Sequence, residues 1–499
     1  MLDGEREIGG ERAATPVLGM GAAMPRGRML RHLPGGALSS ALVLSALVAF
    51  GPATARAQAQ TPPPVASPAA PLPRPDQARG LAEAPGIEPE DVALFVPRAI
   101  LFLPARAVGF VSAPVRQAMR AIEKHHVLER IEDFFYNDAR TAAIVPVVTL
   151  STFLGAQIGL RAFHDDLGGH GESGAVKVSL GADWEQLYLL SFRADRLGGT
   201  PLWVESKTVY EDHPSLRFYG LGGDADATFT GDHLDPRGAS AESFYSQRRF
   251  RQLLTVGATL GRPGLVAQVG GRGRFKSSSF DRARGLAEGD RDLEDVYDAS
   301  AVAGYDDGER VLETEAVAIL DVRDPTRASG HAFHGEAFGG GALPFRDDYY
   351  GHFGAELTGY IDLYHTDRVL VLRAAFEAVE GDAAHIPFVE LPSLGGPHRL
   401  RGYPLHRFRD EKAFVGTIEY QYPIHQNIAG TFFFDFGEVS PDYVQLVTSP
   451  RFAVGGGGGL IVKNKDKVTL SLEVAGGEGV QVLFTTDPLR AFADRDDEL

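Results

Sequence analysis

Toward its C-terminal end the chain reads Leu400-Arg401-Gly402-Tyr403, and further on Phe433-Phe434-Asp435-Phe436-Gly437, each beside strand-like sequence of alternating polarity. An arginine on a glycine-pivoted loop and an aspartate set among aromatics can do one kind of chemistry well, a guanidinium–carboxylate pair closed off from water. Such a pair holds a loop in place, because removing one partner of a buried ion pair costs about 3–5 kcal/mol. Other residue sets offer weaker chemistry. His164, Asp165, Asp166 and His170 are types that bind divalent metals, but they lie in a Gly-rich stretch that reads better as a solvated outer loop. The run Gly455 to Gly459 lacks the Lys-Ser/Thr and the helix that a phosphate loop needs. In a strand, such glycines mark a bend or a close backbone approach. There is no cysteine and no Gly-x-Ser-x-Gly elbow, and nothing assembles a nucleophile, a base and an orienting group. No catalytic residue, cofactor or metal site is expected.

The composition agrees with a turn-rich β protein: 499 residues, 59 of them glycine, 9% aromatic, with mean hydropathy near zero. The formal charge of −17 argues against a nucleic-acid partner, since phosphate backbones need a clustered basic surface, and that class is set aside. Arg26, Arg28 and Arg31 precede the apolar run Ala37 to Phe50, and Ala55-Arg56-Ala57 supplies a small-residue cleavage site. This reads as a secretory signal peptide over residues 1–57, with the true start at Met24 or Met29. Its apolar run is shorter than the roughly 20 residues needed to span a bilayer.

Residues 58–112 are rich in Pro and Ala and read as an extended periplasmic linker. Residues 113–140 hold one amphipathic helix, in which Met119, Ile122, Val127, Ile131 and Phe134/Phe135 recur near helical period. His125 and His126 fall on its exposed side. The helix could plug a lumen or dock a periplasmic partner.

From residue 141 on the periodicity is two. In Lys467 to Val474, Val468, Leu470, Leu472 and Val474 share one face, and Lys467, Thr469, Ser471 and Glu473 share the other. Leu312, Ala316, Ala318, Leu320 and Val322 stand opposite Glu313, Glu315, Asp321 and Arg323, and Leu370, Leu372, Ala374 and Phe376 opposite Arg373 and Glu377. Fifteen segments of this kind are legible: 145–162, 173–183, 186–196, 201–211, 243–261, 263–276, 311–323, 331–341, 350–364, 368–380, 411–422, 428–437, 451–462, 467–475 and 480–486. Single-chain bacterial barrels have even strand numbers, so a sixteenth strand is expected, best placed in 219–232. The fold class read from this pattern is all-β: a transmembrane antiparallel β-barrel of about 16 strands over residues 141–499, preceded by a short periplasmic helix. A soluble sandwich would not explain so many strands with aliphatics on one face and charges on the other.

Within the barrel, alternation puts Phe414, Ile418, Tyr420 and Tyr422 toward lipid and Val415, Thr417, Glu419 and Gln421 inward. On the next strand Phe432, Phe434 and Phe436 face lipid, and Thr431, Phe433, Asp435 and Gly437 face the lumen. With a turn at Asn427, Glu419 and Asp435 come nearly opposite each other. Like charges so placed repel, and a planar guanidinium can donate to both. Arg401 is the candidate donor.

These segments resemble the BamA/TamA-type outer-membrane barrels, the bacterial surface antigen family. The match runs through Leu394-Gly395-Gly396-Pro397-His398-Arg399-Leu400-Arg401-Gly402-Tyr403, Gly416 to Pro423, Phe433 to Gly437, and the glycine-rich strand 451–462. The resemblance implies that the loop around 394–410 follows the eleventh of sixteen strands and folds into the lumen. By the same resemblance the lock falls on Arg401, Gly402, Tyr403, Glu419 and Asp435, with Gly437 beside it. It also implies a bacterial outer-membrane location and a part in inserting or exporting outer-membrane components. Partners would then be outer-membrane lipid and either client outer-membrane proteins or a periplasmic partner. No periplasmic POTRA module is legible before the barrel, which leaves a passive pore or structural barrel as the alternative.

Overall fold

The computed structural model describes residues 134–485 except 152–154, 223–232, 238–239, 263, 323–330, 346–347, 364–367, 383, 426–427, 449–450 and 465–466. The signal peptide, the linker, nearly all of the expected helix 113–137 and most of the segment 219–232 lie outside the described residues.

Among the described residues, sixteen strands form a single closed antiparallel sheet. They are β1 (Ala142–Ser151), β2 (Gly155–His164), β3 (Glu172–Gly181), β4 (Gln186–Ala194), β5 (Leu202–Phe218), β6 (Ser243–Arg262), β7 (Leu265–Arg282) and β8 (Glu309–Val322). Then follow β9 (Ala332–Pro344), β10 (Tyr350–Asp362), β11 (Val369–Glu380), β12 (Lys412–His425), β13 (Ile428–Ser440), β14 (Ala453–Asn464), β15 (Lys467–Gly476) and β16 (Val480–Thr485). Every strand pairs with its sequence neighbours. β1 closes on β16 through Thr149↔Thr485, Leu150↔Phe484 and Ser151↔Leu483. Closure pairs the two edge strands with each other, the one way a sheet can lie in lipid with its backbone satisfied.

The sixteenth strand is not where the sequence placed it. The segment 145–162 is a hairpin of two strands, β1 and β2, paired from Ala142↔His164 to Ser151↔Gly155. Alternation slips there only at Ser151-Thr152 and Phe153-Leu154. The other local signal is Gly155, which takes φ +77, open to glycine at no steric cost. The described end of 219–232 holds only a bridge from Gly222 to Arg409. Several strands also outrun their expected limits, β5 and β7 most of all. Their upper ends pair above the lipid belt, where alternation gives way to polar residues and loop contacts.

The two faces divide as a membrane barrel requires. Leu254, Val256, Leu260, Leu312, Phe432 and Phe434 stay exposed on the outside, while Glu211, Glu313, Glu315, Arg274 and Asp435 are buried within. Inside, cations and carboxylates form rungs: Arg249 and Arg251 on Glu211 at 2.8 and 3.1 Å, Arg272 on Glu315 at 3.0 Å, and Lys276 on Glu313 and Glu390 at 2.9 and 2.7 Å. Tyr420 departs from the expected pattern. It points outward but is buried against Leu363, Leu370 and Tyr422 near the opposite rim.

The long connections 219–242, 283–308, 381–411 and 441–452 all leave one end of the barrel, and 165–171, 195–201, 263–264 and 363–368 leave the other. Long outer loops and short periplasmic turns orient the molecule. His164 therefore ends β2, and Asp165, Asp166 and His170 lie in the connection at the end opposite the long loops rather than in the expected outer loop. The direction of a turn depends on strand count, and the hairpin hidden in 145–162 shifted it. At the outer end a hydrophobic core joins inward residues of β5, β6 and β8–β11 to loop residues: Phe218, Tyr245 and Tyr350 pack with Tyr297, Phe388 and Leu391. Ring pairs such as Phe218–Tyr297 at 5.1 Å and Tyr245–Phe388 at 5.4 Å meet edge to face, the favoured geometry for aromatic contacts.

Candidate functional site

The connection 381–411 leaves β11, contributes Ile386, Phe388 and Leu391 to the outer core, and then turns down into the lumen. A two-residue ribbon, Ser393–Leu394 against Phe408–Arg409, ties its two legs together. Leu394, Leu400 and Phe408 bury against Ala375, Ala413, Val415 and Val439 of the wall. At the bottom Leu400 and Gly402 both take left-handed backbone, φ +63 and +93. That conformation is unusual for a leucine, and here it reverses the chain so that Arg399 and Arg401 reach different walls.

Arg401 reaches β12 and β13. Its Nε and Nη2 donate to the two oxygens of Asp435 at 2.9 and 3.0 Å, its Nη1 donates to Glu419 at 3.1 Å, and its own backbone N–H donates to Asp435 at 2.9 Å. Thr417 Oγ1 gives Asp435 a further hydrogen bond at 2.9 Å, and Glu473 of β15 stands 3.9 Å from Nη1. The guanidinium carbon sits over the Phe433 ring, 3.4 Å from its centroid, a cation–π contact shielded from water. Burial works against the charge on Arg401. The bonds and charge of Asp435, helped by Glu419 and Glu473, outweigh it and raise the guanidinium above its ordinary value.

The register departs from the expected one. Glu419 lies opposite Phe433 and Asp435 opposite Thr417, so the two carboxylates are diagonal neighbours. The strands turn one position earlier than a centre at Asn427 requires. Diagonal placement opens room for the arginine to lie on Phe433 between them.

Gly402 donates its N–H to Gln481 of β16 at 3.3 Å, and a Cβ there would stand 2.6 Å from the Gly476 backbone. The Tyr403 hydroxyl donates to the Val454 carbonyl at 3.1 Å, and its ring rests on Phe408. Gly437 gives space to Leu394 of the loop: a Cβ would stand 2.9 Å from Leu394 Cδ1. The glycine run also makes room for the loop. A Cβ on Gly455 would collide with the Arg401 carbonyl oxygen, and one on Gly457 would press on Phe433. The loop thus touches each of the last five strands from inside.

A second anchor was not foreseen. Arg399 donates to Glu377 of β11 at 2.6 Å, and His352 of β10 holds the other oxygen of that carboxylate at 2.8 Å. Arg373 donates to the His398 carbonyl at 2.8 Å while forking onto Glu356 at 2.8 and 2.8 Å. The signals were present: Arg399 stands two residues before Arg401, and Glu377 and Arg373 were already read as lumen-facing. Phe433 and Thr417 were likewise read as inward without a partner being named. Above them His406 Nδ1 shares a hydrogen with Ser393 Oγ at 2.7 Å. Burial, reinforced by Arg409, Arg249 and Arg399, keeps that imidazole well below the usual histidine range and therefore neutral.

Comparison with known proteins gives a family match over this region. Residues 320–464 match the Omp85 superfamily domain, a stretch running from β8 to β14 that includes the inward loop. No curated protein matches the sequence. Among solved structures, CdiB from Acinetobacter baumannii is 12% identical with a TM-score of 0.47, over 69% of this chain and 59% of that one. BamA from Haemophilus ducreyi lacking POTRA domains 1–3 is 15% identical with a TM-score of 0.45, over 69% of each chain. OmpT of Vibrio cholerae is 11% identical with a TM-score of 0.29, over 69% of this chain and 96% of that one. The chain thus spans less than two thirds of the CdiB structure's length.

Proposed function

We propose that this closed barrel, whose residues 320–464 match the Omp85 superfamily domain, is a bacterial outer-membrane protein that inserts or exports outer-membrane components, with the 381–411 loop as the internal brace of its last five strands. The observation that carries the reading is the Arg401 network. One guanidinium ties the loop to Asp435 and Glu419, and the adjoining Gly402 ties it to Gln481 of the strand that closes the barrel. A brace bonded to the walls on the β16 side can hold that wall in register or release it. Strand ends freed at the β1–β16 junction would offer backbone groups to an incoming strand. Arg401, Gly402, Tyr403, Glu419, Asp435 and Gly437 act in this reading as a lock and not as catalysts.

The test is depletion of the protein followed by quantitative profiling of the other outer-membrane barrels. Reduced levels of a subset are expected, and unchanged levels of all would refute an assembly role. A passive pore requires an open lumen, whereas the core from β5 to β11 bridges the outer end. Purified barrel in planar bilayers is therefore expected to stay closed. Steady conductance of the intact chain would favour the pore.

A further inference from the structure

A cavity of about 510 Å³ opens at the outer rim, where β7 rises past the start of β8. Alternation decides which of its side chains look outward. Arg249 and Arg251 bond to Glu211 in the lumen, so Arg248 between its neighbours points away, its side chain 55% exposed. Glu309 and Val311 are buried inside, so Arg310 also points out. Between the two arginines run Ser277 and Ser279, on the outward face of β7.

The depth of this cavity in the membrane can be read from what lies below it. Phe250, Phe275 and Phe345 form an outward chain of rings with centroids 6.3 Å apart at each step. Beneath them the outer wall carries Leu254, Val256 and Leu260, all exposed. Aromatic rings above an apolar belt mark the interface of a membrane barrel. Arg248, Arg310 and the two serines therefore stand at the level of the outer-leaflet headgroups.

The charges there are incompletely neutralised. Arg248 has Asp212 at a distant 3.9 Å, and that carboxylate is more closely engaged by Arg284. Arg310 has no carboxylate within ion-pair distance among the described residues. Asp306 and Asp307, on the loop above, also line the cavity. Two guanidiniums with serine hydroxyls between them match a phosphate, which arginine binds through paired N–H donors. The rings below match the start of an acyl chain.

We propose that this cavity is a binding site for a phosphate-bearing lipid headgroup of the outer leaflet, held by Arg248 and Arg310 with Ser277 and Ser279, its acyl chain lying on Phe250 and Phe345. The experiment is native mass spectrometry of the full-length barrel in detergent, titrated with phosphatidic acid and, separately, with phosphatidylcholine of the same chains. The intact protein should retain phosphatidic acid preferentially. A membrane-surface cation contributes about fivefold in affinity, so Arg248→Ala with Arg310→Ala should lower that affinity about twenty-five-fold. Phosphatidylcholine retention should not change. Asp306→Asn with Asp307→Asn should strengthen phosphatidic acid binding by removing repulsion. Inorganic phosphate in excess should not displace the lipid. Equal retention of both lipids, an unaltered double-arginine variant, or full displacement by inorganic phosphate would each overturn the site. Both arginines point away from the lumen, so correct folding of the variants can be checked by unchanged heat-modifiable gel migration.

Discussion

Replacing Arg401 by alanine should open the inward loop without dismantling the barrel. Asp435, only 1% exposed, would lose two guanidinium hydrogen bonds, and Glu419 would lose one. Breaking a buried pair from one side costs about 3–5 kcal/mol, because the remaining charge is stranded. Asp435 would still accept from the backbone N–H of residue 401 and from Thr417, which places the expectation near the lower end, about 3 kcal/mol. Since about 1.4 kcal/mol is a factor of ten, the loop should open roughly a hundredfold more often. Native-state hydrogen exchange reads this directly at Gly395, Gly396 and Gly402, whose amides donate to the Arg399 carbonyl, the Tyr403 carbonyl and Gln481. Asp435→Asn, which keeps the shape and removes the charge, should cost about 2 kcal/mol, as a lost charge-assisted hydrogen bond does. The double variant should then fall short of the sum by about 2 kcal/mol, where independent sites add to within about 0.5 kcal/mol. Strict additivity, or unchanged exchange in Arg401→Ala, would mean that the network does not hold the loop.

Arg399→Ala should release the other side, raising exchange about tenfold at Gly395 while moving Gly402 less, because Glu377 keeps His352 as a partner; equal effects at both amides would deny two separate anchors. Gly455→Ala should displace the loop as fully as loss of Arg401, since its methyl takes the place of the Arg401 carbonyl oxygen, and a structure of that variant with the loop unmoved would contradict the packing. Burial pushes the Asp410 carboxyl up to about 6 from 3.8, so the folded loop binds a proton that the released one does not. The contribution of Asp410 to the stability of the 381–411 segment should therefore be greatest below about pH 4, fall on the order of 3 kcal/mol as pH rises to 6, and level off above. Exchange at the Glu411 amide, corrected for its intrinsic pH dependence, measures this, and Asp410→Asn should flatten the profile.

What the sequence determined by itself was the class of fold and the cast of the lock. Period-two alternation with charges on one face and aliphatics on the other admits few solutions besides a membrane barrel, and it placed Glu419, Phe433 and Asp435 inward by parity alone. Parity is local, and it survives small errors in strand ends. Strand count and register are not local. The turn within 145–162 carries one glycine and only a brief slip in the alternation, so pairing from Ala142↔His164 onward is what separates β1 from β2. The same holds for the carboxylates, whose diagonal placement follows from the ladder between β12 and β13. Only tertiary structure could bring Arg399 to Glu377 and lay Arg401 on Phe433. Those contacts depend on where a long loop returns after crossing the outer core, with Leu400 held in left-handed backbone by packing on the wall. Side-chain facing is written residue by residue, but partners across the lumen are fixed by closure of the whole sheet.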